Sequence, residues 1–514
     1  MAIYQPQPLR FKPGIQRDGT RLDAPGSWVD GKWVRFVNGR ARKIKGVRRM
    51  DASTNGSARS FENYFKDGTH HLHYGTSQGV FRQPFSSSGV VSSSPVNRTP
   101  AAYVPTNNEI WQFGTAYDPI IANAASIIAH PGLNREDISN ATATSIYIGP
   151  ATTSADLTEL TGLTPVSGGI CVVHPYLTFF GSDGYFGWSA PNNFDSQLRL
   201  DGGGEAYPTS QKIVRGFPIR GGSGPSGLYF SLNAVLRTSF VGGSETWAFD
   251  TVTDRTTVIS PRAIAMARND VAYWMGTDGF YMYNGSVTEL KNTTNLDWVF
   301  DNVNMRYRER CFAFCNTRYG EVWFCFPFGD ADECTHAAIY NYREDVWFDT
   351  ELPTERTGAI SAGLYSYPIL GGRETDSTGD NTSSIWEHES GYDELRENDT
   401  YALQSYIESS DVTMLTGDQP SNQTISCVGV EADIKQEGDM TLTITGNANA
   451  MSAAVDAPAI TFSPAPVAGA DQIIRPKAER RQMRFRWESN VAGGYYELGL
   501  PIAHLGAGSG RETG

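Results

Sequence analysis

Apolar and polar residues alternate in short runs along most of the chain, and turn residues separate these runs about every dozen positions. The clearest example is Val271–Gly285, VAYWMGTDGFYMYNG, where strands Ala272–Met275 and Phe280–Tyr283 are predicted to fold back at Thr277-Asp278-Gly279. Asp-Gly tolerates the positive φ angles of a tight hairpin turn, and aromatic residues suit a half-buried pleated surface. The pattern therefore predicts an all-β protein.

The same arrangement of aromatic strand, turn, glycine and aromatic strand recurs along the chain, closely in Tyr176–Trp188 and more loosely in His71–Phe81, Leu228–Phe240 and Val322–Tyr340. Equivalent positions lie 39, 50 and 45 residues apart, from Gly75 to Gly114, from Gly181 to Ser231 and from Ser231 to Gly276. A period of about 40–50 residues matches one four-stranded blade of a β-propeller. With 514 residues, the chain is also too long for one ordinary core.

Residue composition and the pattern of predicted strands divide the chain into four segments. Residues 1–50 are rich in Gly and Pro and form a basic arm that we assign to a platform domain. Residues 51–400 carry the repeated hairpins and are predicted to form a propeller of five to seven blades. Residues 401–505 have longer alternating strands, which predict a small β domain as the rest of the platform. Residues 506–514 are predicted to be a disordered tail.

Local signals refine this division. The alternating run Trp33–Val37 precedes Asn38-Gly39, which predicts a hairpin with a two-residue turn. Leu296–Asn304 has apolar residues at helical spacing and predicts a single helix. Gly371–Thr400 is polar and weakly patterned, which predicts a loop, and Ile385–Trp386 within it is a candidate closing strand.

Charge is distributed unevenly. The formal net charge is −14, but residues 1–50 hold 12 Lys and Arg against 3 Asp, a balance of +9, which leaves −23 for the remainder. A basic arm on an acidic body indicates that the arm meets an acidic partner, and a solvated extension is the alternative.

The sequence carries no Walker loop, no G-x-S-x-G elbow and no H-E-x-x-H helix, so we expect neither enzyme activity nor a cofactor. No apolar run approaches the roughly 18–20 residues that span a membrane, and the N-terminus lacks a secretory signal. We therefore expect a soluble protein that is made in a cytoplasm.

Two groups of residues are weak candidates for a metal site. His71 and His73 would share one strand face, but surface histidines without a metal are the favoured interpretation. Four cysteines raise the question of zinc, yet they contain no C-x-x-C pair, and buried free thiols are favoured for Cys311, Cys315, Cys325 and Cys334.

Residues Pro13–Val47, PGIQRDGTRLDAPGSWVDGKWVRFVNGRARKIKGV, resemble the opening of tail proteins from short-tailed bacteriophages. The shared form is P-G-I-x-R-x-G-T-R, then an aromatic residue with an acidic neighbour, then V-R-F-x-x-G-x-x-x-K-I-x-G. More diffusely, the body resembles the packaged-DNA-stabilising or tail nozzle proteins of such phages. These segments are Gly243–Phe249, Val271–Gly285, Ala338–Tyr342, Cys427–Asn447 and Arg480–Leu500.

The resemblance implies a β-propeller with a platform built from both chain ends. It further implies a homohexameric ring in the virion tail, which retains the packaged genome and conducts double-stranded DNA during ejection without sequence-specific binding. The implied partners are tail adaptor (head-to-tail connector) proteins, with tail fibres or spikes as further candidates. The sequence does not identify the residues of the DNA channel. Candidates for the adaptor contact are Arg17, Arg21, Trp28, Trp33, Arg35, Arg40, Lys43 and Lys45.

Two other functions stay open at this point. Aromatic segments such as Tyr176–Trp188 are natural platforms for sugars, so a receptor-binding tail propeller that recognises host glycans is the alternative. A propeller glycosidase would need two carboxylates about 5–9 Å apart, and no pair stands out among the acidic residues.

Overall fold

The computed structural model describes residues 4–20, 22–91, 93–105, 108–134, 143–221, 224–243, 245–267, 270–375, 381–396, 399–413, 415–416, 419–420, 423–449, 451–464 and 473–508. Six strands lie at the start of the chain: β1 (Gln5–Pro8), β2 (Lys12–Ile15), β3 (Ser27–Lys32), β4 (Val34–Val37), β5 (Arg40–Lys43) and β6 (Val47–Ser53). The turn between β4 and β5 is Asn38-Gly39, with φ angles of 52° and 72°, so this predicted hairpin is confirmed.

Five blades follow, each a sheet of four strands paired in sequence order. Blade 1 contains β7 (Ser60–Lys66), β8 (Thr69–Thr76), β9 (Gly79–Ser86) and β10 (Val96–Asn97). Blade 2 contains β11 (Asn108–Asp118), β12 (Ala124–Asn134), β13 (Tyr147–Pro150) and β14 (Thr158–Glu159). Blade 3 contains β15 (Gly169–Val173), β16 (Tyr176–Phe180), β17 (Phe186–Trp188) and β18 (Gly204–Ala206). Blade 4 contains β19 (Ile213–Gly221), β20 (Gly224–Ser231), β21 (Val235–Phe240) and β22 (Trp247–Thr253). Blade 5 contains β23 (Ile264–Met266), β24 (Ala272–Met275), β25 (Phe280–Tyr283) and β26 (Val287–Glu289).

Blades 6 and 7 share one long strand. Blade 6 contains β27 (Phe312–Asn316), β28 (Glu321–Phe326), β29 (Cys334–Asn341) and the first half of β30 (Val346–Ile360). The second half of β30 is the inner strand of blade 7, where it pairs with β31 (Ile369–Thr375), and β31 pairs with β32 (Asn381–His388). The first strands of neighbouring blades contact one another around a common axis. The protein is therefore a seven-bladed β-propeller, within the predicted range.

The outer strand of blade 7 comes from the arm. β6 pairs antiparallel with β32, with Val47 opposite His388 and Met50 opposite Ile385. Two short strands, β33 (Glu394–Arg396) and β34 (Asp399–Tyr401), extend this sheet. The prediction of a loop over Gly371–Thr400 is wrong, because most of its described residues lie in strands. Ile385–Trp386 lies in β32, and the closing strand of the propeller is supplied by the arm instead.

The platform consists of three sheets, each of which combines strands of the arm with strands from the end of the chain. Its C-terminal strands are β35 (Ser405–Ser409), β36 (Val412–Thr413), β37 (Leu415–Thr416), β38 (Gln419–Pro420), β39 (Ile425–Glu431), β40 (Ile434–Glu437), β41 (Met440–Asn447), β42 (Val455–Asp456), β43 (Ile460–Phe462), β44 (Ile473–Ile474), β45 (Ala478–Arg480), β46 (Gln482–Ser489), β47 (Tyr495–Leu498) and β48 (Ile502–Ala507). β37 and β38 form a separate hairpin. Two residues of the predicted disordered tail, Gly506 and Ala507, end β48, and 509–514 lie outside the described residues.

One hydrophobic core joins the platform to blades 6 and 7. Trp33 and Phe36 of the arm, Phe348 of β30, Trp386 of β32 and Trp487 of β46 are all buried in it. Apolar burial stabilises by about 25 cal/mol per Å2. This shared core is therefore the main contribution that holds the platform and the propeller together. In the described part of the chain, no helix is long and apolar enough to cross a membrane.

The predicted helix is present as α1 (Leu296–Asn302), two residues shorter than expected, and it lies between blades 5 and 6. Short 3-10 segments occur in the described part of the chain at Ser182–Gly184, Arg199–Asp201 and Met305–Arg310. The hairpin of Val271–Gly285 has the predicted strand bounds. Its turn differs from the prediction, because neither Asp278 nor Gly279 has a positive φ.

Candidate functional site

Arg17 ties the arm to the outer strand of blade 6. Its guanidinium donates hydrogen bonds to Asp30 at 2.5 Å and to Asp349 in β30 at 2.8 Å. Asp349 is buried and also accepts from the amide of Asn295 at 3.2 Å, at the start of α1. Burial raises the pKa of Asp349, and the neighbouring guanidinium opposes that rise. Arg17 therefore connects the arm, β30 and the approach to α1.

Arg35 occupies a fully buried position in β4 between blades 6 and 7. Its Nη1 donates to Glu389 at 2.9 Å, and its Nη2 donates to Glu321 of β28 at 3.1 Å. The guanidinium also lies over the ring of Tyr319, 3.7 Å from the centroid. Burial raises the pKa of Glu321 to about 7 although the charge of Arg35 acts in the opposite direction. One arginine of the arm thus compensates two buried glutamates of the propeller.

Trp28, Trp33 and Lys43 are also buried. The backbone N–H of Trp33 donates to the hydroxyl of Thr350 at 2.7 Å. The ammonium group of Lys43 donates to the carbonyl of Ser489 at 3.4 Å, and burial lowers the pKa of Lys43 to about 8. These side chains belong to the joint between platform and propeller.

The structure thus narrows the adaptor contact predicted from the sequence. Arg17, Trp28, Trp33, Arg35 and Lys43 are occupied by contacts inside the chain. Arg40 is exposed and pairs with Glu497 at 3.0 Å, and Lys45 is partly exposed. Arg17 is partly exposed as well, but its guanidinium is held by Asp30 and Asp349. Arg21 lies outside the described residues.

The basic arm was predicted to meet an acidic partner. Several of its cations form ion pairs with acidic residues of the same chain. Besides Arg17 and Arg35, Arg48 contacts Glu387 at 2.8 Å and Arg49 contacts Glu374 at 3.5 Å, both in blade 7. These ion pairs consume much of the positive charge of the arm. Composition alone could not distinguish an internal acidic partner from an external one.

The histidines and cysteines considered for a metal lie in the interior. His71 and His73 are buried, not on the surface as predicted. The Nδ1 of His71 accepts a hydrogen bond from Arg82, and the Nε2 of His73 donates one to the carbonyl of Ala151, each at 3.0 Å. Burial lowers the pKa of His71 to about 4 and that of His73 to about 3. Among the described residues, no group of three or more His, Cys, Asp or Glu is placed to hold a metal ion.

The cysteines are free and buried. Cys325 in β28 lies opposite Phe312 in β27 and belongs to the core shared with the platform. Cys311 and Cys315 lie in the core between blades 5 and 6. Burial raises the pKa of Cys311 and Cys315 to about 12, so these thiols are inert at neutral pH.

Residues in or beside the first strands of blades 1, 2, 4, 5, 6 and 7 line a cavity of about 250 Å3, which we call the axial cavity. Arg262 lies at its wall and joins the strand edges around it. Its Nη1 donates to the carbonyls of Arg59 and Thr357 at 3.0 and 2.6 Å, and its Nη2 donates to those of Glu309 and Arg310 at 3.1 and 2.9 Å. The inner strand of each blade leaves one backbone edge unpaired, and Arg262 satisfies four carbonyls on such edges and adjoining loops.

A network of ion pairs closes the ring between blades 6, 7 and 1. Arg59 donates to Glu333 at 2.7 Å, and Arg310 contacts both Glu333 at 3.1 Å and Asp332 at 2.8 Å. Arg373 of β31 also binds Asp332 through its guanidinium. These groups hold the pKa of Asp332 well below its ordinary value, chiefly through the hydrogen bond from Arg373. The sequence contained no signal for this network, because its members are distant in the chain.

The aromatic segment that motivated a glycan-binding function is not a surface platform. Tyr176, Phe179, Phe180, Phe186 and Trp188 are all buried in blade 3. They pack against one another and against blade 4, in the way that aromatic residues fill the space between propeller blades. The segment therefore has a structural explanation.

Comparison with known proteins leaves the chain without a recognised family. No family model matches the sequence, and no curated protein matches it. The solved structures similar to it include the computationally designed Ika8 protein, a fungal alcohol oxidase in complex with copper, and BBS1N in complex with ARL6DN. Their identities are 10%, 10% and 9%, and their TM-scores are 0.35, 0.38 and 0.40. They cover 73%, 91% and 70% of this chain and 99%, 99% and 98% of their own chains. At such low TM-scores these similarities carry no argument about function.

Proposed function

We propose that the chain is a structural subunit of the tail of a short-tailed bacteriophage, the nozzle that retains the packaged genome and conducts it during ejection. The observation that carries the proposal is the place of Pro13–Val47, the segment with the strongest resemblance to such tail proteins. This segment supplies strands to two of the three platform sheets, and it buries Trp33 and Arg35 in the joint with the propeller. A motif that builds the joint between two domains suits a protein whose role is architectural.

The electrostatics of the chain support the same proposal. The net charge is −14, and internal ion pairs at Arg17, Arg35, Arg48 and Arg49 consume much of the positive charge of the arm. A cationic channel wall would bind phosphates through counterion release, whereas an acidic wall repels them and keeps the duplex mobile. An acidic body therefore suits a conduit through which DNA slides.

The size of the axial cavity indicates where such a conduit would lie. The axial cavity holds only about 250 Å3, whereas a DNA duplex would need an open passage along the whole axis that is wider than its major groove alone, about 12 Å. A duplex does not fit along the propeller axis. In the proposed nozzle the DNA channel lies between subunits, as in a closed ring of identical chains with head-to-tail interfaces.

Immunogold labelling of the source virus particles with antibody against this chain tests the proposal. We expect label at the tail tip, on the particle axis. Label around the periphery of the tail would refute the nozzle and would support the receptor-binding alternative. Particles without any label would refute both assignments to the tail.

A second measurement tests the ring. Native mass spectrometry of tails released from the particles should give six copies of the chain in one assembly, and any other stoichiometry would contradict the proposed hexamer. Arg40→Glu combined with Lys45→Glu reverses two exposed or partly exposed charges among the adaptor candidates. We expect this variant to fold normally but to enter particles poorly, and normal incorporation would exclude these residues from the adaptor contact.

A further inference from the structure

Two opposite charges reach the axial cavity without pairing with each other. Glu62 of β7 and Arg215 of β19 both line the cavity, from blades 1 and 4. Each is partly buried, and within the described residues neither forms an ion pair with an oppositely charged side chain within 4.0 Å. The Nε of Arg215 is buried and has no hydrogen-bond partner. Both groups therefore retain bonding capacity that the protein does not use.

The neighbouring charges are already committed. Arg59 binds Glu333, and Arg262 donates to four backbone carbonyls. Arg215 itself lies over the ring of Phe217, 5.0 Å from the centroid, which holds its guanidinium on its own side of the cavity. The unused anion and the unused cation therefore face a common space from different blades.

Leaving these charges unpaired is costly. Burial raises the pKa of Glu62 to about 7 and lowers that of Arg215, and the attraction between the two groups across the cavity offsets these shifts only in part. A molecule that brings a complementary charge to each group would remove both penalties at once. An anion alone would satisfy Arg215 and add a like charge near Glu62, and a cation alone would do the reverse.

From this geometry we propose that the axial cavity binds a small zwitterion, an amino acid or a short amino-carboxylic acid, with its carboxylate on Arg215 and its ammonium group on Glu62. The site is independent of the proposed tail function. The volume of about 250 Å3 lies just below the 300–1,000 Å3 typical of drug-sized ligand pockets, so the cavity has room for a small ligand of this kind. Phe61, Phe113 and Phe217 line the cavity and supply apolar contacts for the methylene carbons between the two charges.

A series of ω-amino acids tests both the charges and their separation. Isothermal titration of the full-length protein with glycine, β-alanine and γ-aminobutyrate should give saturable binding with a clear optimum of chain length. Acetate and ethylamine carry one charge each, and we expect them to bind at least ten-fold more weakly than the best member of the series. Absence of saturable binding by every member, or acetate binding as tightly as the best amino acid, would overturn the proposal.

Isosteric variants locate the binding in the cavity. Glu62→Gln and Arg215→Gln each remove one charge, and each should weaken the best ligand at least ten-fold without lowering the melting temperature of the unliganded protein. Arg220→Gln is the matched control, because Arg220 lies on the same strand as Arg215 but is exposed. Unchanged affinity in either cavity variant would refute the assignment. If a variant fails to fold, the titration series on the parent protein still decides the question.

Discussion

Replacing Arg35 with methionine should destabilise the joint between platform and propeller severely. Arg35 is fully buried and compensates two buried carboxylates, Glu321 and Glu389. Removing one partner of a buried ion pair typically costs about 3–5 kcal/mol, because the remaining charge is left in a low dielectric. The cost has a ceiling, since a stranded carboxyl can take up a proton. At pH 7 that costs about 3 kcal/mol for a glutamate whose unfolded pKa is 4.5.

The assay is equilibrium unfolding in guanidinium chloride, followed by tryptophan fluorescence because six of the largest fully buried side chains are tryptophans. We expect Arg35→Met to lose about 3–5 kcal/mol in the free energy of unfolding at pH 7. The matched control is Arg40→Met in the neighbouring strand, whose exposed pair with Glu497 should contribute less than about 1 kcal/mol.

The sign of the pH dependence provides an independent check. In the variant the carboxyls are protonated in the folded chain and ionised in the unfolded chain at pH 7, so the folded state binds more protons and gains stability as pH falls. The difference from the parent protein should shrink between pH 7 and pH 5 by about 2–3 kcal/mol for each carboxyl that Arg35 keeps ionised in the parent. Adding Glu321→Gln and Glu389→Gln to Arg35→Met should restore most of the loss. A loss below 1 kcal/mol for Arg35→Met, or no rescue by the two glutamines, would refute the reasoning.

Three further predictions follow from packing and burial. Gly75→Ala places a methyl group 2.5 Å from the ring of Trp111 in the next blade and should cost roughly 1–3 kcal/mol in thermal unfolding, whereas Gly363→Ala, which meets nothing within 4 Å, should be nearly neutral. The pKa of Lys43 is about 8 in the folded chain and 10.5 in the unfolded chain. Between pH 8 and pH 10.5 the unfolded state therefore binds more protons, and the free energy of unfolding rises with pH. The parent should gain up to about 3 kcal/mol more than Lys43→Met across that window in denaturant titrations, and equal slopes would contradict the burial argument. Finally, all six cysteines, Cys311 included, should resist Ellman's reagent in the native protein and react after denaturation, and a fast-reacting native thiol would disprove their burial. Chelators should leave the melting temperature unchanged.

The features that the sequence predicted correctly are local ones. The hairpin at Val271–Gly285, the turn at Asn38-Gly39 and the helix at Leu296 each depend on residues within about ten positions, where side-chain alternation and turn preference act directly. The period of the hairpins then led to the propeller, and the resemblance of the arm led to a platform built from both chain ends.

The features that could not be predicted depend on contacts between distant residues. β6 pairs with β32 across more than three hundred positions, and nothing in either strand specifies the other. The role of Arg35 was missed because its two glutamates are equally remote, and an arginine in a basic segment looks like a surface residue. The axial cavity was not predicted for the same reason, since Glu62 and Arg215 belong to different blades.

The closing strand has a consequence for the synthesis of the protein. Residues 47–53 leave the ribosome early, but their partner in β32 begins at Asn381, after more than 320 further residues. At about 5–20 residues per second, β6 waits roughly 15–65 s before it can pair. The platform waits longer still, because β46 and β48 lie near the end of the chain. Only a chain translated through β48, which ends at Ala507, can complete both structures, so any shorter product exposes unpaired strands and apolar core to the proteases and chaperones of the cell.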